Sequence, residues 1–361
     1  MKEILIIRLS SIGDVLHCTP VAKTLKTAWP NCKITWLVGE MCAQLLQYNP
    51  YVDELLIWSR EKFEKHLHHR AWKKAWKLWQ ELRGMLIPRS FYAVLDIHGL
   101  FLTGMMARMP KAERIIGMSQ AKEGNPFFMK ETATFKGSHV TERYLAVLKP
   151  LGITATDDTM TLTLSDESKT FAGRFYQNMK VGSQKKAVLV PATTWFSKNW
   201  PADYYAALTD LLHPTYSVIL CGGPGDKKIG DEIKAKSQGH ITDAIGKTSL
   251  LEMAAIIEKA DVVISGDTGP LHIAAALKVP TVSVFGPTNP KMYGPKGHLH
   301  RKLVHFMPCA FCHKKQCRLG TQACMKSILP KTVAAEVLQS GINWRKTKRI
   351  KKSKREMFPA R

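Results

Sequence analysis

The sequence lacks long hydrophobic runs and is poor in acidic residues. No apolar stretch approaches the roughly 20 residues that a helix needs to span a bilayer, and the N-terminus enters a strand pattern directly, without the features of a signal peptide. Only 29 Asp and Glu stand against 53 Lys and Arg, so the formal net charge is +24. We therefore expect a cytoplasmic protein with an anionic partner: a nucleic acid, a phosphorylated substrate or an acidic membrane surface.

Cysteine is also sparse, and its placement argues against a disulfide framework. Four of the eight cysteines lie in or beside apolar segments: Cys18, Cys32, Cys42 and Cys221. In a cytosolic chain we expect these to be buried thiols. The other four share one loop, with two, four and six intervening residues: Cys309, Cys312, Cys317 and Cys324. They are a candidate structural zinc site, although the spacing is not that of a regular zinc finger, and plain loop cysteines are the alternative.

The stretch from residue 261 to 277 organises the second half of the chain. A β-branched apolar run predicts a buried strand that breaks at Gly266, and Pro270 suits the first turn of a following helix. Asp267 and Thr268 are candidate caps, and Gly269 lets backbone approach a ligand closely. The free amides at the start of this helix predict an anion site suited to a diphosphate. An ordinary strand-to-helix turn is the alternative.

The same alternation of strand, loop and helix recurs along the chain. It starts with a strand at residues 2–8 and a helix that runs to about Ala28, and a new sheet begins at residues 187–191. With 45% hydrophobic residues, 361 residues are enough for two domains with their own cores. We predict an α/β protein with two doubly wound domains, at residues 1–182 and 183–335, followed by a terminal helix end and basic tail at 336–361.

An aromatic and basic helix is predicted between Arg60 and Arg89. Trp72, Trp76 and Trp79 recur at spacings of four and three and share one broad face, while lysines and arginines crowd the remainder. Such a helix suits the headgroup level of an anionic membrane. The alternative is that the tryptophan stripe packs on the sheet as core.

Three segments together resemble the bacterial glycosyltransferase family 9 heptosyltransferases. They are residues 10–17 (SSIGDVLH), residues 192–201 (ATTWFSKNWP) and residues 266–272 (GDTGPLH). The resemblance implies the glycosyltransferase B architecture, with two Rossmann-like domains facing across a cleft. It also implies inverting transfer of L-glycero-D-manno-heptose from ADP-heptose to the Kdo of the lipid A inner core, without a cofactor.

The resemblance also implies roles for single residues. Asp14 matches the proposed general base, and Ser10 and Ser11 match hydroxyls of the neighbouring loop. The matches to donor contacts are Thr193, Thr194 and Lys198 at the diphosphate, then Asp267, Thr268, Gly269 and His272 at the second phosphate and sugar. Asp226 stands where the family often offers an acidic side chain to the nucleoside. Arg60 and Lys122 lie where the family directs basic residues to the acidic acceptor, and a lysine at 122 is a weaker bidentate partner than arginine.

Elementary chemistry supports these assignments. Glycosyl transfer needs a base at the acceptor hydroxyl and charge stabilisation at the departing diphosphate. Asp14 is the candidate base, with His17 as its rival, whereas Lys198 is the candidate for stabilising the leaving group. The sequence has no Asp-any-Asp motif, so fixed positive groups are expected in place of a divalent ion. A helix-capping role is the alternative for Asp14.

Two other functions compete with this hypothesis. One keeps the fold and the donor site but changes the acceptor or the nucleotide sugar. The other is nucleic-acid binding, which the net charge of +24 suggests. The sequence lacks the aromatic and basic motifs of RNA-binding modules and any helix-turn-helix signal. Nucleic acid is therefore not the expected partner. The expected partners are ADP-heptose, a Kdo-lipid A or other lipopolysaccharide core acceptor, and the anionic inner face of the cytoplasmic membrane.

Deleting residues 344–361 is expected to weaken binding to anionic liposomes. This segment carries nine Lys and Arg and one Glu, and each cation near an anionic surface contributes on the order of 1 kcal/mol. Sedimentation with liposomes at low and high salt measures the effect, and donor affinity serves as the control. Unaltered sedimentation at low salt would count against a role for this segment.

Overall fold

The computed structural model describes residues 1–179 and 184–339. The chain divides into two compact units, Met1–Thr163 and Leu164–Arg361. In the described residues each unit is built on one six-stranded parallel sheet with helices between the strands, which confirms the predicted α/β class.

The sheet of the first unit has the strand order of a doubly wound fold. Its strands are β1 (Glu3–Ile7), β2 (Lys33–Gly39), β3 (Glu54–Trp58), β4 (Ser90–Asp96), β5 (Lys111–Met118) and β6 (Glu131–Ala133), in the order β3-β2-β1-β4-β5-β6. The apolar run of β1 is completely buried between β2 and β4. The direction of winding therefore reverses between β1 and β4, and ligands bind at such a switch point in open α/β sheets.

The helices of this unit follow the strands closely. They are α1 (Ile12–Ala28), α2 (Arg60–His68), α3 (Trp72–Leu86), α4 (Phe101–Ala107) and α5 (Val140–Leu145). The predicted long helix between Arg60 and Arg89 is therefore two helices. The break falls at residues 69–71, where Arg70 has a φ of 55° that a continuous helix does not allow.

The second unit repeats the same order. Its strands are β7 (Lys185–Val190), β8 (Tyr216–Leu220), β9 (Ile241–Asp243), β10 (Val262–Gly266), β11 (Thr281–Phe285) and β12 (His300–Val304), in the order β12-β11-β10-β7-β8-β9. Its helices include α6 (Asp166–Asn178), α7 (Ala202–Leu212), α8 (Lys227–Lys236), α9 (Leu250–Glu258), α10 (Gly269–Ala276), α11 (Pro290–Tyr293) and α12 (Ala323–Lys326). The predicted unit of strand, loop and helix at 261–277 is confirmed as β10 and α10. The switch point here lies between β7 and β10.

Two further segments of the sequence lead to local predictions that are wrong: a strand at residues 161–165 and a loop-like stretch over residues 118–137. The strand expected at residues 161–165 is irregular, because Ser165 is the N-cap of α6 and its hydroxyl oxygen accepts a hydrogen bond from the Ser168 amide at 3.1 Å. The segment 118–137, expected to be all loop, contains β6, which pairs with β5 at the edge of the sheet.

The predicted domain boundary follows residue 182, whereas the compact units divide after Thr163. The reason is that α6 packs against α9, and the Tyr176 hydroxyl donates to the Ile256 carbonyl at 2.7 Å. The predicted tail lies outside the described residues from 340 onward. Within the described ranges, none of the helices has the length and apolarity that crossing a membrane requires.

The tryptophan stripe is divided between core and surface. Trp72 and Trp76 are 62% and 57% exposed, whereas Leu82, on the same face, is fully buried. Trp79 is partly buried and stacks on Phe63, with ring centroids 6.0 Å apart. The core alternative is therefore wrong for the first two tryptophans.

Candidate active site

Asp14 lies at the switch point of the first sheet, in the first turn of α1. Its carboxylate accepts hydrogen bonds from the Ser11 hydroxyl at 2.9 Å and from the Tyr144 hydroxyl at 2.6 Å. Arg8, at the end of β1, forms an ion pair with the same carboxylate at 2.7 Å. The Ser11 amide also donates to Asp14 at 3.4 Å. Asp14 thus helps to cap the helix, as the alternative held, and it also belongs to a charged cluster.

The surroundings of Asp14 keep it ionised. Burial alone would raise the pKa of Asp14, but the positive charge of Arg8 and the hydrogen bonds from Tyr144 and Ser11 outweigh it, so the pKa lies well below its usual range. The Arg8 side chain is 9% exposed, whereas that of Asp14 is 31% exposed. The carboxylate is therefore the member of the pair that an incoming molecule can reach.

A second polar group stands at the end of β4, on the other side of the switch point. Arg60 Nη1 lies 2.7 Å from His98 Nε2, and the Leu9 amide lies 3.3 Å from His98 Nδ1. Burial, followed by the charges of Arg8 and Arg60, lowers the pKa of His98 to about 2. The ring is therefore neutral at physiological pH, and Arg60 remains a fixed cation at this edge.

Buried Asp96 holds the His98 loop in place. Its carboxylate accepts hydrogen bonds from the amides of His98 at 3.0 Å and Gly99 at 3.1 Å, and from the Asn125 side chain at 2.6 Å. Gly99 has a φ of 74°, and a Cβ at this position would lie 3.1 Å from that of Ala121. The loop after β5 therefore approaches closely enough for the Lys122 amide to donate to the Gly99 carbonyl at 3.1 Å.

The structure thus places five of the predicted residues at the carboxyl ends of strands in one sheet: Ser10, Ser11 and Lys122 in loops, and Asp14 and Arg60 in the first turns of α1 and α2. Ser10 is half-buried, while Ser11 and Lys122 are exposed.

The rival base, His17, is only 3% exposed and its Nδ1 lies 2.9 Å from the Thr141 hydroxyl. An acceptor hydroxyl at the edge of the sheet can reach Asp14 more easily than His17.

In the second unit, three neighbouring strands bring their loops to one ion pair. Lys198, after β7, donates to Asp267 Oδ2 at 2.7 Å, and Asp267 follows β10. Thr288, after β11, donates to the same oxygen at 2.7 Å. Lys198 Nζ also lies 4.4 Å from the centroid of the Trp195 ring. A fixed ammonium group is thereby held at the switch point of this sheet.

Asp267 also faces His272, on the first turns of α10. The distance from His272 Nε2 to Asp267 Oδ1 is 3.6 Å, and both side chains are less than 10% exposed. Burial alone would raise the pKa of Asp267, but the neighbouring His272 and the charge of Lys198 outweigh it and hold the pKa well below its usual range. Asp267 is therefore an internal anion that orders its neighbours.

Close packing brings the loop after β7 to the end of β10. A Cβ on Gly266 would lie 3.0 Å from Thr193 Cγ2 and 3.1 Å from the Lys198 carbonyl oxygen, so any larger residue would push these neighbours away. The Thr193 hydroxyl donates to Asn199 Oδ1 at 2.9 Å and orders the loop. Thr194 is exposed beside it.

The remaining donor candidates frame the same edge. Thr268 is the N-cap residue of α10, and Gly269 is its first residue. Asp226 lies after β8, the strand next to β7. Its carboxylate accepts a hydrogen bond from the Gly223 amide at 2.8 Å and so stabilises its own loop.

The cysteine loop gives the zinc hypothesis no support. Cys309 and Cys312 are exposed, and Cys317 and Cys324 are half-buried. Among the residues that the structure describes, no group of three or more His, Cys, Asp or Glu side chains is placed to hold a metal ion.

Sequence reasoning missed four residues of these clusters: Arg8, His98, Tyr144 and Thr288. Arg8, His98 and Thr288 follow strands β1, β4 and β11, so their position at a strand end was an available signal. Tyr144 lies 130 positions from Asp14, and local pattern does not reveal that contact.

The comparison with known proteins identifies the family. A sequence model of glycosyltransferase family 9 (heptosyltransferase) matches residues 75–323, more than half of the chain. The chain belongs to glycosyltransferase family 9. It is similar to the lipopolysaccharide core heptosyltransferase OpsX of Haemophilus influenzae, with 27% identity over 82% of this chain and 83% of the relative. Other relatives are named lipopolysaccharide heptosyltransferase 1, 2 and 3.

Solved structures agree with this result. A family 9 glycosyltransferase from Veillonella parvula matches with a TM-score of 0.83 and 24% identity over 95% of this chain and 98% of that chain. Escherichia coli heptosyltransferase WaaC with ADP matches with a TM-score of 0.66 and 27% identity, over 83% of this chain and 92% of that chain. The family 9 chain thus has the glycosyltransferase B fold class, and family membership favours an enzyme over a nucleic-acid-binding protein.

Replacing Asp267 with Asn is expected to lower the unfolding free energy at pH 7 by about 3 kcal/mol, the usual scale for breaking a buried ion pair. The folded-state pKa of Asp267 is lowered, so its stabilisation is present above the ordinary aspartate pKa and is lost as pH falls through the lower folded value. Urea unfolding of both proteins at pH 7 and below about pH 4 measures the difference, which shrinks in acid.

Asp231→Asn is the matched control. Asp231 also pairs with a lysine, Lys234 at 2.9 Å, but its side chain is 56% exposed. The expected loss is within about 0.5 kcal/mol. Equal losses for both variants would contradict a special role for the buried pair.

Proposed function

We propose that this enzyme transfers heptose from ADP-L-glycero-D-manno-heptose to the Kdo of the lipopolysaccharide inner core, with inversion and with Asp14 as general base. The observation that carries the proposal is the reachable, ionised carboxylate of Asp14 at the switch point of the first sheet. The second unit offers the complementary group, the ammonium of Lys198 at its own switch point.

The geometry suits displacement at the anomeric carbon. The acceptor hydroxyl oxygen forms a bond to this carbon while the bond to the diphosphate oxygen breaks, and ADP departs with both electrons of that bond. The hydroxyl proton passes to Asp14 as the new bond forms. The acceptor hydroxyl becomes strongly acidic as its oxygen bonds to the anomeric carbon. A carboxylate of low basicity is therefore sufficient to accept the proton at this late stage.

At the donor, charge on the leaving diphosphate requires preorganised positive groups. Lys198 and the first amides of α10 are proposed for this role, together with Thr193, Thr194, Thr268, Gly269 and His272 as donor contacts. Asp226 is proposed for the nucleoside. The support from relatives is that WaaC has been solved with ADP and with ADP-2-deoxy-2-fluoro heptose.

For the acceptor, Arg60 and Lys122 are proposed to meet its acidic groups. Arg60 is held by Glu64 at 2.7 Å and faces His98, so its guanidinium is preoriented at the edge of the sheet. Work at the inner face of the cytoplasmic membrane is part of the proposal and rests on the net charge of +24.

The main alternative keeps the enzyme and changes the acceptor. Relatives carry the numbers 1, 2 and 3 at similar identities of 26%, 25% and 29%, so identity does not separate the acceptor types. Transfer assays with ADP-heptose and cores that end either in Kdo or in a first heptose distinguish them. A different nucleotide sugar would show as binding of UDP in preference to ADP.

Asp14→Asn is expected to reduce turnover by a factor of roughly 10² to 10⁴, because it keeps the shape and capping ability but abolishes basicity. ADP-heptose binding should stay near the parent value. Because the pKa of Asp14 is lowered, parental kcat/KM should show no acidic limb from this group between about pH 5 and 8.

Two results would argue against this base. One is a parental rate in Asp14→Asn. The other is an acidic limb near pH 6 that His17→Ala removes together with activity. His17→Ala is otherwise expected to cost less than Asp14→Asn, and thermal melting separates loss of the base from loss of the fold.

Lys198→Ala is expected to lower turnover by a factor of roughly a hundred or more, the usual scale for one preorganised charge-stabilising group. Thr268→Ala should cost less, because backbone amides of α10 remain. Single-turnover assays give both values, and Lys259→Ala, at an exposed lysine after α9, is the control. Full activity of both variants would place the diphosphate elsewhere.

A further inference from the structure

The first unit contains an open apolar groove that the proposed reaction does not use. Its walls come from α2, α3 and α4 and include Phe63, Leu67, Trp72, Trp76, Trp79 and Phe101. Its volume is about 600 Å³, within the roughly 300–1,000 Å³ of ligand sites. Trp72, Trp76 and Phe101 are 62%, 57% and 48% exposed, so a large aromatic surface faces solvent in the free protein.

The lining selects a hydrocarbon occupant. Nine of the eleven lining residues are apolar, and the other two are Glu64 and Glu123. Both carboxylates are already engaged, Glu64 with Arg60 at 2.7 Å and Glu123 with the Phe101 amide at 3.4 Å. A sugar or nucleotide would lose hydrogen bonds to water here without replacement, whereas an alkyl chain loses none.

The position of the groove connects it to the candidate acceptor site. Glu64 lines the groove and holds Arg60, and Arg60 contacts His98 at the end of β4. His98 in turn lies 3.3 Å from the Leu9 amide, in the loop that leads to Asp14. The groove therefore begins one side chain away from the cation proposed to bind the acidic acceptor.

The charge of the two helices α2 and α3 fits an anionic amphiphile. Residues 60–86 carry eight Lys and Arg against three Glu. Lys65, Lys73 and Lys77 are exposed on the two helices that form its walls. An anionic headgroup is attracted to these cationic helices while its alkyl part covers the aromatic side chains.

We propose that the groove binds an acyl chain of the anionic glycolipid acceptor, so that the enzyme recognises the lipid part of its substrate as well as the sugar. This inference rests on the proposed function, since it assumes an acceptor that carries both parts. When the acyl chain covers the exposed indoles, the KM of the acylated acceptor is lowered. The chemical step takes place at the sugar end and does not involve the groove.

The test compares an acylated acceptor with its fully deacylated counterpart, both dispersed as monomers in detergent, using Trp76→Ser and Phe101→Ser. The ratio of kcat/KM for the acylated to the deacylated acceptor is expected to fall about tenfold or more in both variants, mainly through KM. Phe306→Ser is the matched control, because Phe306 is 74% exposed and belongs to the second unit. An unchanged ratio in folded Trp76→Ser would overturn the proposal.

Two other occupants give different results, and each would also overturn it. A bilayer contact predicts that the variants lose binding to acceptor-free anionic vesicles but keep the parental ratio with monomeric acceptors. If a second copy of the chain occupies the groove, the sedimentation coefficient of Trp76→Ser should differ from that of the parent.

A direct measurement separates the groove from the reaction. An anionic lysolipid with a brominated acyl chain is expected to quench tryptophan fluorescence in the parent and less in Trp76→Ser. If the parent transfers heptose to neither acceptor but shows this difference, the proposed function fails and the groove remains a chain-binding site. If the parent is active but shows no quenching, the proposal that the groove binds an acyl chain fails and the proposed function stands.

Discussion

Each unit depends on a charge pair placed where its sheet reverses the direction of winding. In the first unit Arg8 holds Asp14, and in the second Lys198 holds Asp267, both at 2.7 Å. An isolated charge in such a place is costly, and removing one partner leaves the other uncompensated. The two sheets have the same order, so the same geometric constraint delivers a fixed charge to the carboxyl edge of each.

The two pairs differ in which member is accessible. Asp14 is 31% exposed while its arginine is 9% exposed. In the other pair the lysine is 15% exposed and Asp267 is 9% exposed. We infer that the first pair presents a carboxylate, whereas the second presents a cation that an internal carboxylate positions. A base and a stabiliser of a leaving group need this division.

Local pattern was sufficient for most of the fold. Buried strands such as β1 and β10 are short β-branched runs bounded by turn residues, and this signal does not depend on distant contacts. It was insufficient for β6, which has three residues and forms only by pairing with β5. It was also insufficient where a side chain decides, as at residues 161–165, where Ser165 caps α6.

For the candidate site, the sequence predicted which loops carry the polar residues but not which distant side chains contact them. Asp14, Lys198 and Asp267 follow from motifs at strand ends, whereas the Tyr144 hydroxyl reaches Asp14 across 130 positions. Periodicity likewise placed Trp76 and Leu82 on one face of a helix without showing that one lies in an open groove and the other in the core. What covers a face depends on tertiary packing.

In the proposed reaction, the lowered pKa of Asp14 places its proton transfer late. A base tied to Arg8 and hydrogen-bonded by Tyr144 is too weak to deprotonate a free hydroxyl. The hydroxyl becomes a strong acid only as its oxygen bonds to the anomeric carbon, and at that point even a weak carboxylate accepts the proton. The transition state of the proposed reaction would therefore carry most of its charge on the sugar and the diphosphate. This places the larger demand on Lys198 and the amides of α10, where the second unit has concentrated its fixed positive charge.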